Sequence, residues 1–214
     1  MVNKIFEQIK EFIEKNLMIV LSGATVLLLI LLSITTYSLY KRSVNKKAYV
    51  SEYKALRLYR ISDNKNWPIV ESNFKGVLEK YPDTKGAEIT KLYLGNLYFK
   101  TAQYEKAIKV YEELSQQIDK ADVLYDLALL GIGYAYENLA DFKKAIPYFE
   151  KVINNEKSAH KVEAFIEVGR CYEEMKDYKS AMGKYIMVSK NFPENPWKSE
   201  LIDKINQMKT TVVQ

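Results

Sequence analysis

Three stretches of this chain are copies of one another. LGNLYFKTAQYEKAIKVYEEL from Leu94, IGYAYENLADFKKAIPYFEKV from Ile132 and VGRCYEEMKDYKSAMGKYIMV from Val168 align without a gap, and their glycines Gly95, Gly133 and Gly169 lie 38 and 36 residues apart. Self-similarity at such a period means stacked units, none of which can bury its apolar face alone, so neighbours must share a core. Inside each copy the marked residues recur at helical spacing: Gly95, Tyr98, Tyr104, Ala107 and Tyr111, then Gly133, Tyr136, Phe142, Ala145 and Phe149, then Gly169, Tyr172, Tyr178, Ala181 and Tyr185. The small first and fourth residues let two antiparallel helices approach to about 8–10 Å. The aromatics then fill the seams. Ala102-Gln103, Ala140-Asp141 and Lys176-Asp177 fall between the two helical patterns of each copy and are expected to form the turns.

This is the tetratricopeptide pattern, and it predicts an all-α fold in which three units (88–121, 126–159 and 162–195) stack as an α-solenoid. Phe74, Val77 and Pro82 match the second helix of a degenerate earlier unit and its terminator, with the first helix expected between Ala48 and Tyr59. Pro193 ends the third unit. Trp197, Leu201, Ile202, Ile205 and Met208 then form one amphipathic stripe over 196–214, expected to cap the stack as terminal units of solenoids must. With only 8 Gly and 5 Pro in 214 residues, there is little material for extended loops.

Ahead of the repeats the chemistry changes. From Leu17 to Tyr40 the chain reads LMIVLSGATVLLLILLSITTYSLY, 24 residues without a charge. At about 1.5 Å per residue this helix spans about 36 Å, enough for a hydrocarbon core of about 30 Å. It reads as an uncleaved single-pass anchor, being too long for a signal-peptide core and lacking a small-residue cleavage site after it. No cysteine lies near it, which excludes lipid attachment there. In residues 1–16, Val2, Ile5, Phe6, Ile9, Phe12 and Ile13 recur every three or four positions among Lys and Glu, an amphipathic helix suited to the headgroup region or to extending the anchor. No Gly or Pro occurs from Ala24 to Trp67, so the anchor helix is expected to run into the first repeat helix through the juxtamembrane segment that opens 41–87.

The net charge of +5 is concentrated rather than spread, because Lys41, Arg42, Lys46 and Lys47 carry +4 of it as a cluster placed for the membrane surface. The repeats are almost neutral, which argues against nucleic-acid binding. Counting charges beside the anchor, three Lys precede it while Lys41, Arg42, Lys46, Lys47, Lys54, Arg57 and Arg60 follow, a balance that puts the repeats on the cytoplasmic side.

In this architecture the first helix of each unit lines a groove for a peptide or another helix. The candidate groove residues are Leu92, Asn96, Phe99 and Lys100; Leu130, Tyr134, Glu137 and Asn138; and Ile166, Arg170, Glu173 and Glu174. An equal alternative is that many of them pack against the capping helix or the preceding unit. A clamp for the acidic tail of cytosolic chaperones is excluded: only Asn96 fits, while Leu92, Gly131, Glu163 and Glu167 stand where basic or amide groups are needed.

Chemistry is hard to find. His160 is the one histidine and has no Cys or second His near it, so no metal site of familiar spacing is present. Gly131-Ile132-Gly133 lacks the third glycine and the preceding strand of a dinucleotide loop. Cys171 has no partner for an internal disulfide and reads as a buried structural thiol. The chain is therefore expected to be a binding or assembly factor and not an enzyme, without cofactor, metal or small-molecule substrate.

An amphipathic start, one anchor, tetratricopeptide units and a lone last helix together resemble the bacterial YfgM-like family, an ancillary subunit of the Sec translocon. The resemblance covers almost the whole chain, and it implies an inner-membrane protein with periplasmic repeats, partnered by translocon subunits and periplasmic chaperones in handling exported proteins. The charge count and the resemblance thus predict opposite topologies. Two further readings stay open: a scaffold for envelope assembly or cell division, weakened by the lack of a sustained heptad run, and a cytoplasm-facing membrane receptor.

Overall fold

The computed structural model describes residues 2–62 and 66–212, with side chains from Lys4 to Thr211, and all of its regular structure is helical. It divides into two units, residues 1–47 and 48–214, with the boundary inside a helix.

The first unit holds α1 (Val2–Lys15) and the start of α2 (Leu17–Ile61). The α1 stripe of Ile5, Phe6, Ile9, Phe12 and Ile13 is exposed, as are the apolar residues of α2 from Leu17 to Tyr40 except the half-buried Val20. The helix α2 is long and apolar enough to cross a membrane. Five of the Ser and Thr hydroxyls along it pair with the helix's own carbonyls. Ser22 donates to the Ile19 carbonyl (2.9 Å), Thr25 to Ser22 (2.8 Å), Ser33 to Ile30 (2.8 Å), Thr35 to Leu32 (2.9 Å) and Thr36 to Leu32 (2.7 Å). A helix without water around it needs this internal pairing.

The second unit begins with the last part of α2, where Ala48, Glu52, Ala55 and Leu56 are buried, and α3 (Trp67–Lys80). The Tyr59 ring lies among Trp67, Phe74 and Tyr93 at centroid distances of 5.7–5.9 Å. Three helix pairs follow: α4 (Lys85–Lys100) with α5 (Tyr104–Gln117), α6 (Val123–Asn138) with α7 (Phe142–Ile153), and α8 (Lys161–Glu174) with α9 (Tyr178–Asn191). The last helix, α10 (Lys198–Val212), lays Leu201, Ile205 and Met208 on Ala181, Tyr185 and Val188. Trp197 and Ile202, expected in the same stripe, are each 43% exposed. The first lies ahead of the helix and the second on its outer side.

The repeat signature explains the pairing. Ala107, Tyr111 and Leu114, with Ala145, Phe149 and Val152, and Ala181, Tyr185 and Val188, are each at most 2% exposed and form the successive core layers. The glycines are seats for rings. A Cβ on Gly95 would run into the Tyr111 ring, one on Gly133 into Phe149 and one on Gly169 into Tyr185.

The three turns are alike in detail. Ala102, Ala140 and Lys176 adopt left-handed backbone, with φ of 56°, 55° and 61°. The amide that follows each donates back five residues, Gln103 to Tyr98 (2.8 Å), Asp141 to Tyr136 (2.9 Å) and Asp177 to Tyr172 (2.9 Å), while the turn residue itself reaches the carbonyl three before it. This is a Schellman closure. It usually carries glycine, because a side chain in this region costs about 1–2 kcal/mol. Asp141 and Asp177 then cap the next helix by accepting from Lys144 N and Ser180 N, whereas Gln103 makes no such bond.

Candidate functional site

The inner helices of the first two pairs enclose a cavity of about 290 Å³. Residues three and four apart on a helix share a face, and here Leu92, Asn96 and Phe99 of α4 look across at Leu127, Leu130 and Tyr134 of α6. The floor is Tyr111 from α5. Its ring reaches the cavity because it lies between two glycines: a Cβ on Gly95 would strike one edge and a Cβ on Gly131 the other. The Tyr111 hydroxyl donates to Asn96 Oδ1 at 2.6 Å, so the ring is tied to the wall, and burial pushes its ionisation far above the ordinary range. Glu163 of α8 closes the far rim. A space of this size is at the lower end of the roughly 300–1,000 Å³ of small-molecule sites, and suits one large side chain better than a cofactor.

Beyond Tyr134 the groove becomes charged. The Tyr134 hydroxyl lies 2.7 Å from Glu163 Oε1 and 3.2 Å from Glu167 Oε1, with one proton to donate to two carboxylates. Arg170 pairs with Glu137 (2.5 Å) and Glu167 (2.6 Å), and the Cys171 thiol donates to Glu137 Oε1 at 3.2 Å. His160 Nδ1 is 3.0 Å from Glu163 Oε2. Burial pushes the Glu167 carboxyl up to about 7; Arg170 pulls it down and Glu137 raises it further. Burial, then the Glu137 carboxylate, pushes the Cys171 thiol far up, which keeps it protonated and unreactive. Among the described residues no group of three or more His, Cys, Asp or Glu is arranged to hold a metal ion.

Of the candidate groove residues, Leu92, Asn96, Phe99, Leu130 and Tyr134 line the cavity together. Glu137 and Arg170 belong to the charged network. Four others are engaged elsewhere. Lys100 extends over the Trp67 ring at 4.7 Å and the Tyr59 ring at 5.9 Å. Asn138 accepts from the Tyr104 hydroxyl at 3.1 Å. Ile166 packs on the core beneath α10, and Glu173 accepts from Tyr185 (2.9 Å) and Lys204 of α10 (3.0 Å). Glu174 is exposed, as are Lys41, Arg42, Lys46 and Lys47 on α2.

Leu127 and Glu163 complete the site without having been among those candidates. Both stand six positions before the repeat glycine, one turn upstream of Leu130 and Ile166, so carrying the same stripe one turn back finds them. Tyr111 comes from the second helix of its pair, and only the paired glycines reveal that its ring passes through.

The tetratricopeptide repeat family matches residues 94–116 and 126–158, and a second family of the same description matches 163–195. Solved structures with the same fold include MamA (residues 41 to the end) from Desulfovibrio magneticus, 18% identical with a TM-score of 0.54 over 65% of this chain and 72% of that one. A tetratricopeptide repeat protein from Parabacteroides merdae is 14% identical with a TM-score of 0.61, covering 77% of this chain, which spans 61% of that protein. YrrB, described as a tetratricopeptide repeat protein with an unusual peptide-binding site, is 17% identical with a TM-score of 0.52 over 82% of this chain and 92% of its own. No curated protein sequence matches this chain.

Proposed function

We propose that this chain, whose residues 94–116, 126–158 and 163–195 match tetratricopeptide repeats, is a membrane-anchored interaction module whose groove holds a segment of a partner protein. The observation that carries this reading is the cavity between α4 and α6, with apolar walls, a tyrosine floor and polar groups at the rim. A peptide-binding site is described for YrrB, a protein of the same fold. The anchor is supported by the uncharged stretch from Leu17 to Tyr40 with its self-paired hydroxyls, and by Lys41, Arg42, Lys46 and Lys47 directly after it, where they would meet anionic headgroups.

The cellular setting we favour is protein export, on the YfgM-like layout: a bacterial inner-membrane protein with periplasmic repeats that engages Sec translocon subunits and periplasmic chaperones. The charge balance around the anchor favours a second reading, a cytoplasm-facing receptor.

The test places a photo-crosslinking residue at Asn96, inside the groove, or at Lys143, exposed on the outer helix α7, in the full-length protein in its own cells. Mild-detergent purification and mass spectrometry then identify what is captured. Translocon subunits or export chaperones joined at Asn96 but not at Lys143 support the export reading. Envelope-assembly or division proteins in their place replace it with a scaffold, and capture at neither or both positions alike removes the groove as the binding site. Protease digestion of spheroplasts decides the topology: cleavage of the repeats supports the periplasmic side and protection the cytoplasmic one.

A further inference from the structure

We infer that the segment held in the groove carries a bulky apolar side chain and, about one helical turn along, a lysine or arginine. The inference rests on the proposed groove and adds the chemistry of its occupant. Two observations point to it from different sides. The apolar walls of Leu92, Phe99 and Leu130 and the 290 Å³ between them have room for one large side chain from a partner. Directly beyond, the groove has more negative than positive charge.

That charge balance follows from the contacts. Glu137, Glu163 and Glu167 form one connected network with a single guanidinium, Arg170, which is occupied by Glu137 and Glu167. Glu163 is left with the imidazole of His160 and a share of the Tyr134 proton. The cation that α4 could have contributed, Lys100, is turned onto Trp67 and Tyr59. Glu163 is also the joint between the two parts. It lines the cavity, belongs to the network and keeps 38% of its side chain exposed. A ligand that seats an apolar side chain against Leu130 therefore meets an accessible, under-compensated carboxylate next, and an ammonium or guanidinium there gains what an acidic group would lose.

The experiment uses the full-length protein in mild detergent and three fluorescein-labelled peptides, identical except for Lys, Gln or Glu one helical turn from a leucine anchor. Fluorescence anisotropy is read at low and high salt. The Lys peptide is expected to bind about tenfold more tightly than the Glu peptide at low salt, with the Gln peptide between them and the spread shrinking as salt rises. In the double variant Glu163→Gln, Glu167→Gln the spread between the three peptides should disappear. Equal binding of all three peptides, or a preference for Glu, overturns the inference and leaves the groove standing. Binding that is unchanged when Asn96→Trp fills the cavity, or no binding by any of the three, removes the groove reading itself. Circular dichroism of each variant confirms that the helices are intact.

Discussion

The two ends of the groove share a backbone plan and differ in most of the side chains that face it. At the position three before each repeat glycine stand Leu92, Leu130 and Ile166; one after it stand Asn96, Tyr134 and Arg170; six before it, Leu127 faces one end and Glu163 the other. Between α4 and α6 these choices leave an apolar cavity. Between α6 and α8 they leave carboxylates bridged by one arginine. Repetition maintains the buried layers, where Gly, Ala and an aromatic must fit together, while the residues at these groove positions differ from copy to copy. In a stack of this kind recognition is written in what the copies do not share.

The most damaging way to break the comparison is to remove the element common to both ends. Phe149 is fully buried, seated against Gly133 and edge-on to Tyr134 at 5.5 Å, so Phe149→Ala should cost about 3–5 kcal/mol and lower the thermal midpoint of the detergent-solubilised protein. Ala145→Leu keeps the aromatic but overfills a fully buried contact between the paired helices, and should cost about 1–3 kcal/mol; unchanged stability would mean that the repeat register is wrong.

A charge substitution separates the ends. Because burial raises the Glu167 carboxyl to about 7, its proton stabilises the fold, a contribution fully present below the ordinary carboxylate value and lost as pH rises through 7. Glu167→Gln imitates the protonated form. Its stability relative to the natural protein should therefore improve by about 1–2 kcal/mol between about pH 5 and about pH 8, read by urea unfolding, while binding of the uncharged peptide at the apolar end stays as it was. A variant that follows the parent at both pH values would place the Glu167 proton outside the folding equilibrium.

The smallest effects lie outside both ends. Ala140→Gly relieves a left-handed residue at a turn and should add about 0.5–1 kcal/mol. Gln103→Asp should add about as much by supplying the cap that Asp141 and Asp177 already provide. Neither should move ligand affinity, and a shift in either peptide's binding would show that the turns and the groove are coupled.

How much of this could be read beforehand differs by level. The helix pairs, their turns and the lone last helix follow from spacings within a few residues, so they were legible, as was the apolar stretch that no charge interrupts. Half of the groove was less so. Lys100 turns away because Trp67 and Tyr59 present their rings to it from a unit whose sequence has lost most of the repeat signature. Ile166 and Glu173 are taken by α10, which the repeat pattern does not contain. The carboxylate network joins Tyr134 to residues 29 and 33 positions further along. Spacing within one copy carries no record of such a contact.

The ring of Tyr111, held between Gly95 of its own pair and Gly131 of the next, has a bearing on how such chains can be recombined. Exchanging whole repeats between relatives is the natural way to build new specificities in stacked folds, yet a crossover placed in the connection between α5 and α6 would divide this cavity, sending its floor with one parent and its far wall with the other. The pocket is inherited by neither repeat alone. Chimeras that keep α4 through α6 from a single parent, and cut instead at the turn before α7, should carry the apolar specificity intact into a foreign stack.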